Sequence, residues 1–240
     1  MPNAGKRIVL TGGGSGIGRA AAQLLRDQGA KVMTVDLKDP GDDPLFVQAD
    51  VADGPSVAAV IGKAVAELGG LDGVINVAGI QRSGAIDVLE EKDWDDQLRI
   101  NVRSCFLTSK YAVPHLRAAG GGSIVTTSSL AGLKGFAGMT AYGASKGAVI
   151  AFTRTLAVEL AADNIRANCL CPGWVDTPFN NPVITFEGGK NAHEENVRST
   201  VPLSREAQPI EMANWLAFLV SDEAAYMTGQ AIAVDGGLSA

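Results

Sequence analysis

The sequence predicts a doubly wound α/β fold: one parallel sheet of about seven strands with helices on both faces, in a single domain spanning residues 1–240. Three observations carry that expectation. Short apolar runs alternate with segments of helical periodicity, the pattern of successive β–α–β units. The first apolar run breaks into glycines and passes directly into a helix-forming stretch. A chain of 240 residues, 46% of them hydrophobic, is long enough to bury one large core. Its 29 glycines fall at turns between periodic segments, which excludes a fibrous or low-complexity chain.

In order, residues 8–18 (IVLTGGGSGIG) read as a strand, a tight turn and a helix start, with the helix running through Arg19–Leu25. Lys31–Asp36 is a second strand ending in a carboxylate, and Leu45–Val51 a third. Ser56–Leu68 carries Val57, Val60, Ile61, Ala64, Val65 and Leu68 at helical spacing. Leu71–Gly79 is a fourth strand, Asp93–Ala119 a long helix, and Ser123–Ser129 a β-branched fifth strand ending in hydroxyls. The helix Tyr142–Leu160 has only Lys146, Arg154 and Glu159 as charges, so burial on every side and a homo-oligomer are expected. Ile165–Cys171 is a sixth strand. Residues 177–205 lose periodicity and read as a mobile, substrate-covering lid. A helix over Pro209–Val220 and a strand over Gly229–Asp235 complete the pattern.

The net charge of −6 and the lack of a basic run weigh against nucleic acid and acidic membrane surfaces as partners. Residues 1–7 have no apolar signal core and no apolar run reaches about 18 residues, so a soluble, cytoplasmic protein is expected. Cys105, Cys169 and Cys171 are read as free, buried thiols, and no residue pattern predicts a metal site.

The turn holding Gly12, Gly16 and Gly18 lets a phosphate approach the main chain at a helix N-terminus. Asp36, about twenty residues further on, suits a ribose diol and repels a 2′-phosphate, so NAD is expected over NADP, with Lys38 as the cation that opposes this. Tyr142 and Lys146 stand four apart on one helix face, where the ammonium, together with a cationic nicotinamide, is expected to lower the phenol pKa toward neutrality. Ser129, at a strand end, offers a hydroxyl to a substrate oxygen.

Together these residues resemble the short-chain dehydrogenase/reductase family along almost the whole chain. The turn from Thr11 through Gly12, Ser15, Gly16, Ile17 and Gly18 is similar to its cofactor turn. Asp50 and Val51 match its adenine contacts, and Asn76 to Gly79, with Ala78, its Asn-Asn-Ala-Gly strand end, although Val77 stands where Asn is usual. Asn101, Ser129, Tyr142 and Lys146 fall at the spacing of its catalytic tetrad. Pro172 and Gly173, followed by Val175 and Thr177, resemble the segment that touches the nicotinamide amide. The resemblance implies a Rossmann-type NAD(H) oxidoreductase, a tetramer without a metal. In it Tyr142 exchanges the hydroxyl proton, Lys146 binds the nicotinamide ribose, Ser129 holds the substrate oxygen and Asn101 supports a water relay.

Gln81, Leu130, Phe136, Met139, Trp174 and Phe179 are the expected pocket, whose apolar character favours a neutral small-molecule alcohol or ketone. Gln81 and Trp174 resemble hydroxy acid dehydrogenases of the family. Met139, however, replaces their carboxylate-binding Lys, which leaves only Lys134 or Arg82 for an acid. The leading alternative is an NADPH-linked 3-oxoacyl-[acyl-carrier-protein] reductase, opposed by Asp36 and by Gly120 and Asp163 where such enzymes tend to be basic. Two remoter readings are a non-catalytic dinucleotide sensor and a serine hydrolase, the latter because residues 143–147 (GASKG) match a nucleophile elbow with Ser145 and leave only His193 as base.

Overall fold

A computed structural model describes residues 1–240. Its seven strands are β1 (Arg7–Thr11), β2 (Lys31–Asp36), β3 (Phe46–Gln48), β4 (Gly73–Asn76), β5 (Gly122–Thr127), β6 (Ile165–Pro172) and β7 (Ala231–Val234). They form one sheet in the order β3-β2-β1-β4-β5-β6-β7, every pair parallel. The winding reverses between β1 and β4, where Thr11 is in register with both Val35 and Asn76, so the connections diverge there and open a crevice at the strands' carboxyl ends.

Parallel central strands are covered on both faces and so consist of continuous apolar residues. Ile8, Val9, Leu10, Val74, Ile75, Ile124 and Val125 have no solvent exposure. One face carries helices α2 (Gly54–Leu68), α4 (Ser104–Ala118) and α5 (Thr140–Leu160), packed through Val57, Ile61, Leu107, Leu116 and Leu160. The other carries α1 (Gly16–Asp27) and, near the C-terminus, a helix over Pro209–Val220, packed through Ala21, Leu25, Met212 and Leu216. Each such Leu or Ile contributes about 1.5–3 kcal/mol of transfer free energy.

Several expected boundaries move for one reason: strand ends bend away from the sheet to line the crevice. The third strand pairs only over Phe46–Gln48, because β2 ends at Asp36 and Ala49–Val51 turn inward after one last bond from Ala49 N to Asp36 O. The fourth stops at Asn76 and the fifth at Thr127, releasing residues 77–79 and 128–129. The long helix expected over 93–119 starts at Glu91 and contains a π-helical turn, Arg99–Arg103, between α3 (Glu91–Leu98) and α4. The extra residue in that turn re-aims Asn101, as such insertions do beside functional sites.

On α5, Ala144, Ala151, Thr155 and Val158 face outward within one chain, the face expected to be covered by another subunit, because the opposite face packs on β6 and α3. One expectation is corrected. Residues 177–205 are not irregular but contain α6 (Asn181–Phe186) and α7 (Lys190–Thr200), leaving α8 for Pro209–Val220. These helices escaped notice because only Val183, His193 and Val197 are buried along them, too few to produce a period. The three cysteines are free and buried, and no helix is long and apolar enough to cross a membrane.

At the base of the sheet Arg7 on β1 donates from Nε and Nη2 to Asp72 at 2.7 and 2.6 Å. Burial works against the Asp72 carboxylate, but the Arg7 hydrogen bonds and charge outweigh it and hold its pKa below the usual range. A carboxylate shifted down on folding stabilises above about pH 4 and loses that contribution as pH falls through its folded value. Asp72→Asn is therefore expected to cost about 1 kcal/mol at neutral pH after discounting for partial exposure, roughly 2–4 °C in Tm. Thermal unfolding measured against pH should show the gap from the parent closing as pH falls from about 4 through the lowered folded value.

Candidate active site

The crevice at the β1/β4 switch encloses about 640 Å³ and runs from the glycine turn to the start of α5. At one end the backbone is packed too closely for side chains. A Cβ on Gly12, whose φ is +76°, would lie 2.6 Å from Ala78 N, and a Cβ on Gly18 would lie 2.0 Å from Gly12 O. Ser15 precedes α1 in an extended conformation and its side chain makes no capping hydrogen bond, so the N–H groups of the first turn stay open toward the crevice. Gly16, Ile17 and Gly18 line it beside Ser15.

Asp36 lies on the same rim. Its Oδ2 accepts from Gly14 N at 3.0 Å and its Oδ1 from Leu37 N at 2.7 Å. The carboxylate thus braces the glycine turn as well as lining the crevice, a double role with no sequence signal. Lys38 lines the same rim, whereas Arg19 is paired with Asp42 at 2.5 Å. Asp50, Val51, Ala78 and Gly79 form the adjoining walls, and Pro172, Gly173, Val175 and Thr177 close the middle. An uncapped helix start, backbone cleared of side chains and a carboxylate on the rim fit a dinucleotide pyrophosphate and ribose. Asn76 is the exception among the expected cofactor contacts. It lies behind the wall, its Oδ1 accepting from Thr108 Oγ1 at 2.6 Å, because a strand residue that points to the helix layer cannot also face the crevice.

The tetrad residues converge at the other end. Ser129, Tyr142 and Lys146 line the crevice, with Ser129 Oγ accepting from Ala131 N at 3.1 Å and near enough to the Tyr142 phenol to act on its pKa. Lys146 Nζ donates to Thr127 O at 2.9 Å and lies 5.6 Å from the centre of the Tyr142 ring. Asn101 stands behind them: its Oδ1 accepts from Ile80 N at 2.7 Å, and its Nδ2 donates to Ile80 O and Ser145 Oγ, both at 2.9 Å. It clamps the segment after β4 rather than opening into the crevice.

The chain by itself raises the phenol pKa, whereas the lowering is expected from Lys146 together with a cationic nicotinamide. Burial pushes the Tyr142 phenol above its ordinary value, and only the nearby Ser129 hydroxyl acts the other way. Lys146 is itself buried, which lowers its own pKa, and its ammonium is directed to the Thr127 carbonyl. Tyr142 is accordingly a protonated donor at neutral pH, suited to giving a proton to a developing alkoxide.

Gln81, Leu130, Phe136, Met139, Trp174 and Phe179 all line the tetrad end. Tyr142 meets Phe179 at 6.1 Å between ring centres, and Phe136 meets Trp174 edge-on at 6.3 Å. The buried Gln81 amide has only Met139 Sδ at 3.9 Å as partner, a weak acceptor. Lys134 and Arg82 do not reach the crevice: Lys134 Nζ donates to Leu238 O, and Arg82 to Gln81 O. Sequence reasoning missed Thr127, which lines the crevice and whose buried hydroxyl has no partner, although the hydroxyl-ending fifth strand pointed to it. It also missed Leu238, which no local pattern marks. Ser145 is buried within α5, its Oγ donating to Tyr142 O at 2.8 Å, so it lacks the exposed strand-to-helix setting of a nucleophile elbow.

A family model described as enoyl-(acyl carrier protein) reductase matches residues 12–239. The chain is 36% identical to a 3-oxoacyl-[acyl-carrier-protein] reductase of Thermotoga maritima, over 98% of each chain. It is 39% identical to a cis-4-hydroxycyclohexanecarboxylate dehydrogenase of Sinomonas cyclohexanicum, over 97% of this chain and 96% of that one. The crystal structure of levodione reductase superposes with a TM-score of 0.93 at 32% identity, covering 98% of both chains.

Proposed function

The chain belongs to the short-chain dehydrogenase/reductase family of oxidoreductases, and from that premise we propose that it transfers a hydride between NAD(H) and a neutral secondary alcohol or ketone. The observation that carries this reading is one crevice with the Asp36 carboxylate at one end and Ser129, Tyr142 and Lys146 together at the other. Gly12 to Gly18 and the start of α1 would hold the pyrophosphate, Asp36 the adenosine ribose hydroxyls, and Lys146 the nicotinamide ribose. Bound NAD(H) supplies the hydride acceptor or donor. Ser129 Oγ orients the substrate oxygen, Tyr142 Oη gives or takes its proton, and Asn101 keeps the segment beside them fixed.

The apolar walls, and the lack of a cation at the tetrad end other than Lys146, favour a neutral substrate, with the Gln81 amide free to bond a second polar group. The outward stripe on α5 supports a homo-oligomer, a tetramer by family resemblance. A cytoplasmic location fits the free thiols. A 3-oxoacyl-[acyl-carrier-protein] reductase using NADPH is the second reading, favoured by the Thermotoga relative and by Lys38 on the rim.

Fluorescence titration with NADH and with NADPH at one ionic strength tests the choice. NADH is expected to bind about tenfold tighter, a difference of about 1.4 kcal/mol. Tighter NADPH binding would show Lys38 outweighing Asp36 and move the carrier-protein reading to the front. NAD-linked oxidation of cyclohexanol, compared with cis-4-hydroxycyclohexanecarboxylate, then tests the preference for a neutral substrate. No turnover of any alcohol or ketone, with tight NADH binding, would leave a dinucleotide sensor.

A further inference from the structure

His193, on α7, is not part of the site described above, yet it is 2% exposed. A polar ring withdrawn from water needs partners inside the fold. Nδ1 lies 2.5 Å from Glu187 Oε2 and Nε2 lies 3.2 Å from Glu206 Oε1. Carboxylates only accept, so both bonds form when each ring nitrogen carries a hydrogen.

The two carboxylates belong to different parts of the fold. Glu187 closes α6 and also accepts from Asn196 Nδ2 on α7 at 2.8 Å. Glu206 is anchored to the segment that leaves β6. Its neighbour Ala207 donates from N to Trp174 O and accepts at O from Asp176 N, both at 2.9 Å. Asn180 Nδ2 donates to Glu206 Oε1 at 3.1 Å and to Val175 O at 2.8 Å. The imidazole therefore joins α6 and α7 to the segment that leaves β6, whose Trp174 and Val175 line the crevice. Its ring also packs perpendicular to the Trp174 indole at 4.9 Å between centres, while Val183 of α6 packs with Met139 and Tyr142.

We propose that His193 is a positioning residue: by bridging Glu187 and Glu206 it pins α6 and α7 down and holds the Trp174 indole as a wall of the substrate half of the crevice. The effect on substrate rests on the function proposed above; the pinning of the helices does not. An apolar ring would fill the same volume, so a space-filling role would not require the paired carboxylates.

The test uses His193→Gln, whose single amide cannot serve carboxylates on both sides of the ring, and Glu187→Gln, which keeps shape and removes one charge. Without substrate, amide exchange over residues 181–200 is expected to quicken about tenfold while β1, β4 and β5 keep their protection. With cyclohexanol and NAD, KM is expected to rise about fivefold, kcat to change less than about threefold, and NADH affinity to stay within about twofold. Unchanged exchange over 181–200 in both variants overturns the proposal, as does loss of protection throughout the sheet with a matching loss of NADH affinity. If His193→Gln fails to fold, Glu187→Gln alone decides by the same criteria. Faster local exchange in a protein that oxidises no alcohol supports the pinning and removes the proposed function, whereas unchanged exchange in an active enzyme removes the pinning alone.

Discussion

Tyr142→Phe is expected to lower turnover about a thousandfold while leaving NADH affinity within about twofold. The substitution removes one oxygen from a side chain that is 6% exposed, so it leaves no large cavity and little reason for α5 to shift. It does remove the hydroxyl beside Ser129 and the proton that burial keeps on the phenol at neutral pH. Because burial raises that pKa, ketone reduction, which needs a donor, should hold its rate through neutral pH. Alcohol oxidation, which needs the deprotonated oxygen, should accelerate as pH rises. Steady-state rates in both directions against pH, alongside an NADH fluorescence titration, check both statements. Turnover within about tenfold of the parent would assign the proton to another group and remove Tyr142 from the mechanism.

Gly18→Ala is expected to weaken NADH binding more than about tenfold and to lower Tm by roughly 4–10 °C. A Cβ there would lie 2.0 Å from Gly12 O and 2.7 Å from Gly12 C, far inside van der Waals contact. The obstructing atoms are backbone, and Gly12 is itself held because its own Cβ position is 2.6 Å from Ala78 N. The turn and the start of α1 must therefore separate, and the N–H groups that converge on the crevice diverge. Isothermal NADH titration and a melting curve on the same preparation measure the two effects together. Parent-like affinity would mean that the cofactor does not use this turn.

The alternation of apolar runs and helical periods made the doubly wound sheet readable, because in a parallel sheet each strand is buried on both faces and each helix on one. β1, β2 and α1 lie within two or three residues of their expected positions for that reason. Gly12, Asp36, Ser129, Tyr142 and Lys146 were readable because their spacing along the chain is tied to turns and helix faces. Strand ends were read too long at Val51, Gly79 and Ser129, since an apolar or β-branched residue looks alike in the sheet and in a crevice wall.

The sequence by itself thus determined the layering, the position of the crevice and most of the residues around it, all properties of local period and turn chemistry. Tertiary structure alone decided the rest. It turned Asn76 toward Thr108 and Asn101 onto Ile80, and neither lines the crevice. It buried Tyr142 deeply enough that the chain by itself raises the phenol pKa. It also joined His193 to Glu187 and Glu206 across three separate segments. Side-chain direction, desolvation and partner choice depend on which distant segments pack together, and spacing along one chain carries no record of that.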